Sequence, residues 1–325
     1  MKILIIKSSA LGDIIHSFDL VVYLKKKIPD CTIDWVVEAP FRDLVERHPF
    51  VDVVHPINSK KWRKQPSLYF QEVRSFKKER YDLIFDLQGN VKSSLLLVQA
   101  KGREKIGFGR KSVPEWPNLF FTNRRFTPPK GQNIRQDYLF LAQKYFGDFS
   151  VFQESHFLEL TSEEKQIVHQ LPRDCVLVAP SSHWPNKEVK DSDLIAFLET
   201  LKNRGYKYFL FTWKGQKEKE RMLRLQRALS ECSELLPELS LPSLQHLIAR
   251  SVLVVAVDSV LLHLAGTTQT ATISFFGPSS AGKYAPVGKQ HITYQGHCPY
   301  GESFEKRCRY LRSCPNAPCC NTKES

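Results

Sequence analysis

Short runs of β-branched and aliphatic residues alternate with helix-spaced segments twice along this 325-residue chain, which leaves few folds open. In the first half Ile3–Ile6, Ile33–Val37, Val51–His55 and Leu83–Phe85 read as strands. Helical spacing covers Leu20–Lys27, Phe41–Arg47, Ser67–Lys78 and Ser93–Ala100. Apolar strands separated by such helices pair in parallel and bury both faces of the sheet. Residues 103–135 break the rhythm with Gly107, Gly109, Pro114, Pro117 and Pro128-Pro129, and are expected to lie irregularly over the sheet. The aromatic stretch Tyr138–Phe149 reads as the helix that leaves this half. A second series starts at Val176–Ala179 and continues through Tyr208–Thr212, Val252–Val257 and Thr272–Phe276. The length suits two domains of about 150 residues each. The boundary is expected between residues 155 and 156, with loops at the strand ends facing a central cleft.

The net charge of +13 is concentrated in the first half, where residues 1–150 carry 26 Lys and Arg against 16 Asp and Glu. An anionic partner is therefore expected there: a phosphorylated glycolipid or an anionic membrane surface. No helix-turn-helix, zinc-finger or RNP-type signature accompanies the charge, so nucleic acid is not expected as a partner. No apolar run approaches the roughly 18 residues of a membrane span, and the start of the chain does not fit a signal peptide. A cytoplasmic protein, peripheral at the inner face of the inner membrane, is expected. Five of the eight cysteines, Cys298, Cys308, Cys314, Cys319 and Cys320, crowd the tail. Their spacing lacks the paired C-x-x-C of a strong zinc site, so a zinc knot and a metal-free thiol cluster both stand as readings.

Two strings carry chemistry. The run Lys2–Ile6 leads through Ser8-Ser9-Ala10-Leu11-Gly12 to Asp13, which places a carboxylate at a helix start beyond the carboxyl end of a strand. Ligands of open α/β sheets bind at that edge, although a helix cap would also explain Asp13. His16 follows one turn later as a competing polar group. In the second half Val254–Val257 runs into Asp258-Ser259 and a helix carrying His263, and exposed amides at such a helix start suit a diphosphate. No G-x-G-x-x-G follows a strand and no Walker sequence occurs, which excludes the usual dinucleotide and P-loop sites. Asp191-Ser192-Asp193 copies a metal-binding D-x-D but sits where a helix begins, and reads as capping. No cofactor or catalytic metal is required by any of these residues.

Together these strings resemble the ADP-heptose:lipopolysaccharide heptosyltransferases, most closely the heptosyltransferase I group. Asp34-Trp35-Val36-Val37-Glu38, Lys61-Trp62-Arg63-Lys64, the stretch from Asp86 to Ser93, and Asn123-Arg124-Arg125 are similar to family strings, as are Asp258-Ser259 with His263 and Phe276-Gly277-Pro278. The resemblance implies a GT-B fold of two Rossmann-like αβα domains, with the acceptor bound by residues 1–155 and the nucleotide sugar by residues 156–325. It implies inverting, metal-independent transfer of heptose from ADP-heptose to the Kdo of a lipid A inner core. Asp13 then matches the base. Lys187, Glu218, Asp258, Ser259 and His263 match donor-binding positions, and Lys60, Lys61, Lys64 and Arg124 match the basic residues for acceptor phosphates and carboxylates.

Four departures bear on those roles. Val260 replaces a glycine and Ser259 a threonine, and Asn133 and Asp137 stand where the family has His and Arg. A position needing a left-handed backbone would strain a valine. A heptosyltransferase II-like or other-sugar transferase, and a catalytically silent glycolipid-binding domain, are the alternative readings.

Overall fold

The computed structural model describes residues 1–229, 232–314 and 318–320. The chain forms two compact units, Met1–Glu159 and Leu160–Ser325.

The first unit contains β1 (Lys2–Ile6), α1 (Leu11–His16), α2 (Phe18–Lys27), β2 (Thr32–Glu38), α3 (Arg42–Glu46), β3 (Val53–Ile57), α4 (Pro66–Lys77), β4 (Arg80–Asp86), α5 (Val91–Gln99), β5 (Lys101–Phe108), β6 (Arg124–Phe126) and α6 (Ile134–Phe146). Its sheet is parallel, in the order β3-β2-β1-β4-β5-β6. Ile3, Leu4, Ile5 and Ile6 are fully buried, so helices must cover both faces of β1. On one face Leu4 and Ile6 pack with Val36, Ile84, Phe76 and Leu97. The chain order reverses between β1 and β4, and that reversal opens a crevice beyond their carboxyl ends.

The second unit contains α7 (Ser162–Gln170), β7 (Val176–Ala179), α8 (Asp191–Asn203), β8 (Phe209–Phe211), α9 (Gln216–Leu229), β9 (Ser233–Leu235), α10 (Leu241–Ile248), β10 (Leu253–Val257), α11 (Val260–Ala265), β11 (Thr272–Phe276), α12 (Ala281–Tyr284) and β12 (His291–Gln295). Its parallel sheet runs β12-β11-β10-β7-β8-β9, so its reversal lies between β7 and β10. Val176, Val178, Phe209, Phe211 and Val255 form the centre of its core with Leu198 and Met222. Each unit is a Rossmann-like doubly wound sheet, as expected.

The expectation for residues 103–135 is corrected. The segment supplies β5, β6 and a 3₁₀ turn at Trp116–Phe121. Its glycines allow close packing: a Cβ at Gly107 would lie 2.7 Å from the Thr122 side chain. Among the described residues no helix is long and apolar enough to cross a membrane.

Candidate functional site

In the first unit the loop after β1 is built around one side chain from beyond β4. Gln88 Oε1 accepts hydrogen bonds from Ser8 N and Ser9 N, both at 3.2 Å, and from Ser8 Oγ at 3.3 Å. Gln88 is placed by Asp86, which is buried and accepts from Gln88 N and Gly89 N at 3.0 Å, Ser93 Oγ at 2.8 Å and Asn118 Nδ2 at 2.7 Å. Burial pushes the Asp86 carboxyl up, against the pull of those donors.

The loop delivers Asp13 to the first turn of α1. Its Oδ2 lies 3.7 Å from Lys7 Nζ and 3.5 Å from Ala10 N. Lys7 is itself buried, with its ammonium 5.2 Å from the centre of the Tyr138 ring. Asp13 keeps a side-chain exposure of 22 %, so it can meet a substrate. His16 is buried at 1 % exposure and packs on the interior side of α1. Lys7 and Gln88 were not singled out from the sequence. Nothing about an isolated lysine at a strand end marks it as buried.

The four basic residues are not brought together. Lys60, Lys61 and Lys64 lie in the turn after β3, at the carboxyl end of one edge strand. Lys92 joins them, its Nζ lying 3.3 Å from Ser59 Oγ. Arg124 opens β6 on the opposite edge, in register with Ile106, Phe85 and Ile5 near the carboxyl ends of their strands. Five strand spacings separate those edges, roughly 24 Å. Arg124 is also engaged, its Nε donating to Glu104 Oε2 at 2.6 Å. Asn133 caps α6 by accepting from Arg135 N at 3.1 Å, and Asp137 follows in the first turn. Residue 133 thus has a structural task here.

In the second unit Asp258 directly follows β10 and gathers three partners. Lys187 Nζ and Ser279 Oγ donate to its Oδ2, and His263 Nε2 stands 3.4 Å from Oδ1. Burial alone would raise the Asp258 carboxyl. His263 and Lys187 outweigh it and hold the group well below its ordinary value of 3.8. Lys187 comes from the 3₁₀ turn Pro185–Lys187 beyond β7, the adjacent strand. The hydroxyls of Ser181 and Ser259, one beyond each strand, are buried and have no hydrogen-bond partner among the described residues. Val260 begins α11, and the left-handed backbone among described non-glycine residues is confined to Asp174. The anticipated strain at Val260 is absent.

Glu218 lies in the first turn of α9, accepting from Lys214 N at 2.9 Å. One turn on, Arg221 ties the Lys187 loop to α9 through Glu188 Oε2 and Asp191 Oδ1, each at 2.8 Å, and through Val189 O at 3.0 Å. The capping assigned to Asp191-Ser192-Asp193 is therefore corrected. The N-cap is Lys190 and makes no side-chain cap; Asp191 serves Arg221 instead.

The tail closes over this site. Cys308 N donates to Pro278 O at 2.8 Å, Ser280 N to Lys306 O at 2.8 Å, and Cys320 Sγ to Lys187 O at 3.4 Å. A Cβ at Gly277 would lie 2.2 Å from Cys320 Sγ, so only glycine admits the sulfur. Cys298, Cys308, Cys314 and Cys319 line a cavity of about 380 Å³, which Cys320 does not join. The five tail cysteines thus do not form one ligand set, and among the described residues no group of three or more His, Cys, Asp or Glu is arranged to hold a metal ion. Burial pushes the Cys319 thiol up to about 11 and the Cys320 thiol to about 12, which leaves both protonated at neutral pH.

Residues 70–313 match the family described as glycosyltransferase family 9 (heptosyltransferase). The chain is 29 % identical over 330 residues to lipopolysaccharide heptosyltransferase 1 of Pseudomonas aeruginosa, covering 95 % of this chain and 88 % of that protein. It is 28 % identical to the Escherichia coli K12 protein of the same name, covering 90 % and 92 %. The structure of E. coli heptosyltransferase WaaC with ADP superposes with a TM-score of 0.76 at 25 % identity, covering 90 % of this chain and 92 % of that one.

Proposed function

The chain belongs to glycosyltransferase family 9, and from that premise we propose that it transfers L-glycero-D-manno-heptose from ADP-heptose to the Kdo of a lipid A inner core, with inversion and without a metal. Membership makes it a glycosyltransferase of the lipopolysaccharide heptosyltransferase family, of GT-B fold. The observation that carries the finer reading is the Asp258 cluster: a buried cation and two unpartnered buried hydroxyls at the switch point of the second sheet. Such donors suit a diphosphate, whose charge grows as the glycosidic bond breaks. An ammonium has three N–H donors, and Asp258 takes one. We assign Lys187, Asp258, Ser259 and His263 to the diphosphate and Glu218 to the vicinal hydroxyls of the ribose. The unit Leu160–Ser325 is then the donor unit and Met1–Glu159 the acceptor unit.

In this mechanism the acceptor hydroxyl attacks the anomeric carbon from the face opposite ADP. Its proton passes to Asp13, and the bond to the diphosphate oxygen breaks as the new bond forms. Lys187 neutralises the departing charge without a divalent ion. Turnover in EDTA should therefore equal turnover in magnesium, measured as ADP released. Activity abolished by EDTA and restored by magnesium would overturn the metal-free reading.

Lys60, Lys61 and Lys64, with Lys92, are the cations assigned to acceptor phosphates and carboxylates. Because Arg124 is remote from them and engaged by Glu104, its replacement separates the two groups. Lys61→Glu with Lys64→Glu should raise the acceptor KM at least about tenfold, the equivalent of about 1.4 kcal/mol. The effect should shrink as salt rises, because screening acts beyond about 8–10 Å. Arg124→Glu should change the same KM less than about twofold, and equal effects would return Arg124 to the binding set. Mass spectrometry of the glycolipid formed from ADP-heptose and Kdo–lipid A tests the reaction as a whole.

A further inference from the structure

Helix α5 turns an apolar stripe outward. Val91, Leu95 and Val98 follow the i, i+4, i+7 spacing of one helix face and are 44–54 % exposed, while Ser93, Leu96 and Leu97 face the interior. The 3₁₀ turn Trp116–Phe121 is fastened beside this helix. Glu115 Oε2 accepts from Val91 N at 2.8 Å, and the buried Asn118 donates to Ser94 Oγ at 3.1 Å as well as to Asp86. The fastening leaves Trp116 66 % and Phe120 73 % exposed, in edge-to-face contact at 5.6 Å. Large apolar side chains from two rigidly joined elements, all facing solvent, mark an interaction surface.

We propose that this face docks on an anionic phospholipid bilayer. Charge complementarity selects that occupant. Lys92 lies on the same helix and connects, through Ser59, to the exposed Lys60, Lys61, Arg63 and Lys64. Arg110 and Lys111 are exposed just before the turn, and the one acidic side chain at the join, Glu115, is occupied by Val91 N. Aliphatic side chains inserted at the acyl boundary, a tryptophan at headgroup level and flanking lysines are the groups a bilayer surface accepts. The negative leaflet potential attracts the cations within a Debye length. The proposal rests on the reading that the acceptor is lipid-borne, since docking here sets the Lys60–Lys64 turn beside the headgroups.

Flotation with vesicles lacking any acceptor tests docking independently of catalysis. The protein should float with phosphatidylglycerol–phosphatidylethanolamine vesicles, weakly with phosphatidylcholine, and less as salt rises. Leu95→Glu with Phe120→Glu should lower the bound fraction at least about tenfold. The same variant should keep normal transfer to detergent-dispersed Kdo–lipid A, which also shows that it folds. Equal flotation of variant and parent, or no flotation of the parent, overturns the proposal. Self-association of the parent that the two substitutions abolish would assign the face to a second copy instead. Flotation without transfer to the dispersed acceptor leaves docking standing and removes the proposed reaction.

Discussion

Asp13→Asn will lower kcat at least about a hundredfold while leaving the fold and ADP-heptose binding intact. General base catalysis contributes about 10²–10⁴-fold, and an amide cannot accept the proton. The substitution is nearly isosteric. It removes the ion pair with Lys7 at 3.7 Å, but a partly exposed pair of that length adds little stability. Initial rates at saturating donor and acceptor, with donor affinity measured separately, isolate the chemical step. His16→Ala should behave in the opposite way. His16 is buried in the core, so its loss should lower stability while each folded molecule retains turnover. An Asp13→Asn enzyme within a few-fold of the parent would remove Asp13 from the mechanism.

The second large effect is expected at the Lys187–Asp258 pair. Both side chains are buried, at 8 % and 4 % exposure, so removing one leaves an uncompensated charge, which costs about 3–5 kcal/mol. Lys187→Met should therefore lower the urea midpoint markedly. Adding Asp258→Asn should restore part of the loss, because the two positions are coupled. On donor chemistry, Lys187→Met should cost about 10²-fold in kcat/KM, as loss of one preorganised donor typically does. The pH dependence has a definite sign. The folded Asp258 carboxyl is held below its ordinary value of 3.8, so its contribution is full above that pH and is lost as pH falls below it. Acid titration of the Asp258→Asn variant should show a shallower loss of stability below pH 4 than the parent. Identical acid profiles would show that the pair does not stabilise the fold.

The fold was legible because its buried strands carry their pattern locally: Ile3–Ile6, Val176–Ala179 and Val252–Val257 read as strands, and strands form at Lys2–Ile6, Val176–Ala179 and Leu253–Val257. Three of the four edge strands gave no such signal. β6 is the three-residue Arg-Arg-Phe, β9 is Ser-Glu-Leu and β12 is His-Ile-Thr-Tyr-Gln, each too short or too polar for a periodic pattern. At the candidate sites the strand-to-helix strings located Asp13 and Asp258. The surrounding partners come from distant stretches, as Gln88 does for Ser8 and Arg221 for Asp191. The family resemblance grouped Arg124 with the lysines, whereas the sheet order puts β3 and β6 on opposite edges.

The tail described above has a consequence for how the protein is made. The sulfur beneath Lys187 belongs to Cys320, and the backbone partners of Pro278 and Ser280 belong to Cys308 and Lys306. Synthesis proceeds from the other end, so Lys187 and Asp258 emerge well before the residues that support them. While the ribosome still holds the last segment, the first unit can fold but the Lys187 loop lacks its floor. Nascent chains arrested before Cys308 should accordingly be cut by protease around residues 180–190, whereas released chains resist.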